Sequence, residues 1–448
     1  MTVFLFDARI LHYWFKRGTI KEAPRTILTR EPLAEIRSER ETMENLQREK
    51  NYGIELLRIL AAVFVLMLHI LGVGGVYAYT GSSVVTAERT ANYVWSWTLE
   101  TAAFGAVDLF ALISGFVGLH SSFKLKRWLR LWALCVFWGV VTFLLFDHCV
   151  AFFRGFNDLL LNMGLDVGQT VERLVPTAKD YKDVIFTVGT KQFWYFNMFT
   201  LLFVLTPVLN AGLRQLDKKR LAVLSFALFF FTTVYKTAFN RDLFVVSNGY
   251  SAIWLVILYI VGATVKKYYD DGFRPNKWLC ALGYPICVGI SSGFLFWFEW
   301  LYAKHPDVPK FKEYCDVMIG FTGPFVVIGS VLLLFVFAQL KVRTKVGKKI
   351  TLTFSAASFG IYIIQVTTPF WYQFLQMRFY RFAYLPTGEM LLSIFGAISA
   401  VYLLLAALEI IRIYLFRFTQ LDRLIDLTGD GITRFVRFLF FRTEKNTN

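Results

Sequence analysis

Cysteine is scarce in these 448 residues. The five present, Cys135, Cys149, Cys280, Cys287 and Cys315, show no paired spacing. That excludes a thiolate metal site or a disulfide framework as the basis of the fold. Charge is scarce too: only 18% of the residues are Asp, Glu, Lys or Arg. The opening Met-Thr-Val-Phe-Leu-Phe has no positive n-region, and Arg9, Lys16 and Arg17 follow it where a small-residue cleavage site would stand. No cleavable signal peptide is therefore expected. Nor does the sequence show a strong internal repeat or an appended soluble catalytic domain.

What is abundant is apolar surface. The chain is 56% hydrophobic, with 47 Phe, 21 Tyr and 12 Trp, and several runs reach the roughly 20 residues needed to cross ~30 Å of hydrocarbon. The pattern predicts an all-α integral membrane protein of ten transmembrane helices, over 54–78, 93–118, 129–150, 193–213, 220–239, 249–266, 277–300, 318–340, 354–375 and 389–414. The net charge of +16 sits in short loops after the even-numbered spans. These include Lys124, Lys126, Arg127 and Arg130, then Arg214, Lys218, Lys219 and Arg220. Such loops face the cytoplasm, so both termini are expected to be cytoplasmic. The cations are thereby assigned to topology and lipid headgroups, and nucleic acid is not an expected partner. Three regions follow: a charged, amphipathic N-terminal extension (1–50), a ten-helix membrane domain (51–415) and a basic amphipathic tail (416–448).

Within the first span stand Glu55, Arg58 and His69. Ionisable groups inside a spanning helix are costly, and they face a protein interior or a wet cavity. At 100° per residue, the step from Arg58 to His69 returns to nearly the same face about 16 Å along the axis. Glu55, one turn before Arg58, is placed to pair with it. A neutral imidazole at that depth suits a general base, although a histidine satisfied by a neighbouring helix and serving packing alone would also explain it. The second span carries Asp108, expected near its outer end, and a deeper Ser114-Gly115. After it come Lys124, Arg127 and Arg130, spaced by three on one helix face. Cations in that register suit a phosphate-bearing ligand arriving from the cytosol, although anchoring to the membrane alone would also explain them. Trp194 opens the fourth span, where an aromatic belt is the default reading and acceptor stacking the alternative.

These stretches, taken in order, resemble the membrane-bound acyltransferase family 3. Glu55-Leu-Leu-Arg-Ile-Leu-Ala-Ala with His69 is similar to the family's first helix. Val107-Asp-Leu-Phe-Ala-Leu-Ile-Ser-Gly-Phe116 resembles its second-helix signature, and Arg127-x-x-Arg130 its cytoplasmic arginine pair. Phe193-Trp-Tyr-Phe, Leu205-Thr-Pro-Val-Leu209, Tyr259-Ile-Val-Gly262 and Ser358-Phe-Gly-Ile-Tyr-Ile-Ile364 match later spans. The resemblance covers roughly residues 51–415 and implies a multi-pass enzyme of the cell (plasma) membrane. It would O-acylate surface or exported polysaccharide, with acyl-CoA, typically acetyl-CoA, as co-substrate and no bound cofactor or metal. By the same resemblance His69 is the base and Arg58, supported by Glu55, orients substrate. Arg127 and Arg130, with Lys124, would engage the donor, and a glycan, free or lipid-linked, would be the acceptor. Asp108, Ser114, Trp194 and Gln365 are further candidates for substrate contact. Many family members carry a histidine where this chain has Gln365, which hydrogen-bonds but cannot titrate. The rival reading is a polysaccharide or lipid-linked sugar transporter or flippase. Repeated halves and interrupted midplane helices would mark one, and concentration of the polar groups in the first two spans speaks against it.

Overall fold

The structure is a computed structural model that describes residues 50–80, 90–148, 177–190, 192–315 and 317–441. The expectations for residues 1–49 and for most of the connection after the third span lie outside the described residues.

Asn51 starts the bundle. Its side chain accepts from the Gly53 and Ile54 N–H groups and caps α1 (Tyr52–Leu68), which runs on into a π turn (His69–Val73). Then come α2 (Ala91–Ala103), α3 (Gly105–Gly118), α4 (Leu125–His148), a short α5 (Ala178–Ile185), α6 (Trp194–Gln215) and α7 (Lys218–Phe229). The second half holds α8 (Ala252–Asp270), α9 (Lys277–Lys304), α10 (Pro324–Ala338), α11 (Lys345–Gln365), α12 (Thr387–Phe418) and α13 (Leu421–Phe441). Among the described residues every regular element is helical, as the apolar runs require: in hydrocarbon only helices or closed barrels satisfy the backbone.

Among the described residues eight helices are long and apolar enough to cross a bilayer, and the bent pair formed by α11 and Thr368–Tyr384, counted as one span, makes a ninth. Of the ten expected spans, the eighth and the ninth are not among these eight. The eighth shortens to the 15-residue α10, because Pro324 is pre-set for a first helical turn and residues 317–322 before it form turns and a bend. The ninth bends by 71° after Gln365. Pro369 lacks the N–H that would continue the ladder to the Gln365 carbonyl, and it stands instead in the first turn of a new short helix, Thr368–Phe370.

α1, α2 with α3, and α8 form the interior. Buried residues make up 61–67% of their most apolar windows, against 22–33% in the other long spans. α3 and α8 touch backbone to backbone. A Cβ on Gly115 would stand 2.0 Å from the Tyr259 carbonyl oxygen, and one on Gly262 would stand 2.1 Å from that of Leu112. Small residues that let backbones approach are a principal means of packing helices in lipid, where the hydrophobic drive is absent. Tyr259 adds a polar tie at the basic end. Its hydroxyl donates to Asn210 Oδ1 at 2.8 Å, and the Asn210 amide donates to the Gly118 carbonyl at 2.9 Å.

Candidate active site

Glu55 and Arg58 lie in the first turns of α1. The Arg58 guanidinium bonds Glu55 Oε2 at 2.7 Å, and the Ser355 hydroxyl of α11 donates to the same oxygen. Arg58 keeps 31% of its side chain exposed. Glu55 is committed to holding that cation.

His69 is the first residue of the π turn. The Gly74 N–H bonds its carbonyl at 2.8 Å, and widened turns of this kind often occur at functional positions. The imidazole Nδ1 lies 2.8 Å from Gln365 Oε1. Gln365 is fully buried, and its amide N–H donates to the Ile361 carbonyl at 3.2 Å. The amide nitrogen is thus spent on its own helix, and the amide oxygen faces the ring. This network assigns the proton to His69 Nδ1 and leaves Nε2 with a free lone pair. Trp371 meets the ring edge-on, with centroids 5.0 Å apart.

The two irregular segments also join through their backbones. Beyond Gln365 the chain turns back toward the π turn, where the Met377 N–H bonds the Val73 carbonyl and the Phe379 N–H bonds that of Gly74, each at 2.9 Å. Non-helical backbone at membrane depth needs partners of this kind and is tolerated where protein or a cavity surrounds it. His69 stands at the junction. Glu100 of α2, which the sequence reading passed over, is a neighbour: its Oε1 lies 3.7 Å from where a Cβ on Gly72 would stand.

The remaining candidates disperse. Asp108 falls in the first turn of α3, past the break at Phe104. It is therefore not near the outer end as expected, because the span starts at Ala91 and its first half is α2. Asp108 is fully buried and accepts from the Trp254 indole N–H at 3.0 Å. The Ser114 hydroxyl donates to the Phe110 carbonyl of its own helix at 2.8 Å, the usual way for a serine to sit inside a span. Trp194 packs on Tyr250, with centroids 4.6 Å apart. Among the described residues no hydrogen bond or ring contact joins Asp108, Ser114 or Trp194 to His69.

At the basic end, Arg130 makes a bidentate pair with Asp426 of α13, at 2.8 and 2.7 Å. Lys126 pairs with Asp430 at 3.2 Å. Among the described residues Arg127 reaches only the Ser122 carbonyl, at 3.5 Å, and Lys124 is exposed. The tail therefore covers part of the cationic face assigned to a donor. Its acids Asp422, Asp426 and Asp430, four residues apart in the sequence, were the available signal. Among the described residues, no three His, Cys, Asp or Glu side chains gather where they could hold a metal.

Neither the curated proteins nor the solved structures contain a match to this chain. A family model described as an acyltransferase domain matches residues 51–408. That range takes in the Glu55–Arg58–His69 face, the arginine pair and the junction at Gln365, and the chain belongs to acyltransferase family 3.

Proposed function

We propose that this membrane acyltransferase moves an acyl group, in the simplest case acetyl, from acyl-CoA to a hydroxyl of a cell-envelope or exported polysaccharide, with His69 as the general base. One observation carries the reading: the Gln365 amide holds Nδ1 and frees Nε2, at a junction of irregular backbone inside the bundle. Nε2 takes the proton of the acceptor hydroxyl as its oxygen attacks the thioester carbonyl. The tetrahedral adduct then expels the CoA thiolate, and the imidazolium returns the proton to that sulfur. The products are an ester and free CoA, with no covalent enzyme intermediate required.

The donor's phosphates suit the basic end, taken as cytoplasmic by its Lys and Arg excess. Arg127 and Lys124 are open there, Arg130 becomes so when Asp426 lets go, and Arg58 lies between that end and His69. The acceptor would meet His69 from the opposite end. His69→Ala should leave the protein in the membrane and abolish transfer of labelled acyl groups from acyl-CoA to envelope glycan; undiminished transfer removes His69 as the base. The break after Gln365 gives the rival reading some footing, since interrupted helices line transporter sites. Movement of a lipid-linked sugar across reconstituted vesicles without ester formation would favour that rival.

A further inference from the structure

Glu100 is a carboxyl inside the membrane that the mechanism above does not use. It is 6% exposed, and its Oε2 has no hydrogen-bond partner among the described residues. A buried polar group left unpaired costs free energy, and in native proteins such groups are few and call for an explanation. Inside a span an ionisable side chain is a functional candidate by default.

Its place in the bundle supplies the explanation. Glu100 lies beside Gly72, one turn past His69 in the π turn. A Cβ at Gly72 would come within 3.2 Å of the Tyr77 ring and 3.7 Å of Glu100 Oε1, so the glycine keeps side-chain bulk out of the space these groups share. Tyr77 and Trp97, the latter one turn before Glu100, form a tilted ring pair with centroids 4.8 Å apart. Both rings are partly exposed, as is His69. An apolar ring pair beside an unpaired carboxyl matches a ligand with an apolar face and hydroxyl donors at its edge. That is the chemistry of a sugar ring.

We propose that Glu100, with the Tyr77–Trp97 pair, is the acceptor subsite: the carboxyl binds a sugar hydroxyl next to the one that His69 deprotonates, and the rings carry the sugar's C–H face. This rests on the reading of His69 as the base facing an acceptor, and it assigns the acceptor's side of the site to α2. An ammonium ligand would also suit a carboxyl among aromatics. The O-acylation chemistry favours the polyol.

The test reads binding without acyl-CoA, so it does not depend on turnover. Full-length protein in nanodiscs is titrated with methyl glycosides of glucose, galactose, mannose and N-acetylglucosamine, and with choline, and saturation-transfer NMR of each probe is recorded. At least one glycoside should bind saturably. Its affinity should fall about tenfold in Glu100→Leu, as for loss of one hydrogen bond, and less in Glu100→Gln, which keeps an acceptor. Trp97→Ala should weaken the same glycoside, so the subsite stays testable if Glu100→Leu does not fold. No saturable glycoside signal from the wild type, equal affinity in the Glu100 variants, or a response to choline alone overturns the subsite. Glycoside binding through Glu100 in a protein that transfers no acyl group would overturn the acyl-transfer reading and leave the subsite standing.

Discussion

The Gln365 amide and the His69 imidazole, 296 residues apart in the sequence, meet at 2.8 Å inside the bundle. The partner of this imidazole is an amide, which hydrogen-bonds but cannot exchange a proton. Its orientation is fixed by the bond to the Ile361 carbonyl, so the imidazole keeps one tautomer and its base nitrogen faces away from Gln365.

Replacing Gln365 by Leu should therefore cost activity without loss of the bundle. A positioned base contributes roughly 10²–10⁴-fold to a rate, and a ring free to take the wrong tautomer forfeits part of that. The expected result is a fall in kcat with little change in KM for either substrate. Glutamate at 365 keeps the acceptor oxygen and should rescue much of the loss. Nitrogen-15 NMR of labelled histidine should show the Nδ1–H tautomer of His69 in the wild type and a mixture in Gln365→Leu. A wild-type spectrum with the proton on Nε2 would remove the positioning role.

The sequence showed some of this and not the rest, for identifiable reasons. Helical spacing depends only on local geometry, so the Glu55–Arg58 pair and the shared face of Arg58 and His69 could be read directly. The crossings followed from run length, except where Pro324 and Pro369 shortened or broke a span. The His69–Gln365 bond is a long-range contact that no local period encodes. Glu100 was visible as a lone acid in an apolar run, but its unpaired oxygen depends on what α1 places beside it. The tail read as basic because its arginines outnumber its aspartates, whereas the spacing of Asp422, Asp426 and Asp430 already marked an acidic stripe.

That stripe leads to a second expectation. Asp426 and Arg130 form a pair that is open to solvent, with 28% and 51% of the two side chains exposed, and such pairs contribute about 0–1 kcal/mol to stability. Asp426→Asn should thus leave thermal stability nearly unchanged. If Arg130 serves the donor, freeing it lowers KM for acyl-CoA, and Arg130→Ala raises it. Equal donor KM in wild type and both variants would mean that Arg130 only anchors α13.

The backbone contact between α3 and α8 predicts a defect of a different kind. Gly262→Ala places a methyl group 2.1 Å from the Leu112 carbonyl oxygen, and the helices must separate. Overpacking of this sort costs about 1–3 kcal/mol. The variant should aggregate at lower temperature in detergent, whereas Gly289→Ala, with nothing within 4 Å of its added methyl, should not. Matching stabilities would show that the two helices do not pack this closely.

Glu409 and Arg412 of α12 provide the sharpest energetic test away from the site. The Arg412 Nη2–Glu409 Oε1 distance is 2.7 Å, the Trp138 indole N–H donates to the same carboxylate at 2.6 Å, and Glu409 is fully buried. Two charges removed from water are tolerated only as a pair, and deleting one partner of a buried pair costs about 3–5 kcal/mol. Arg412→Leu, which strands the carboxylate, should reduce the folded yield far more than the double replacement of Glu409 and Arg412 by leucine. The measurement is a double-mutant cycle on the folded fraction recovered in detergent. A double variant as poor as the single one would show that packing of these side chains, and not their charge, holds α12 against α4.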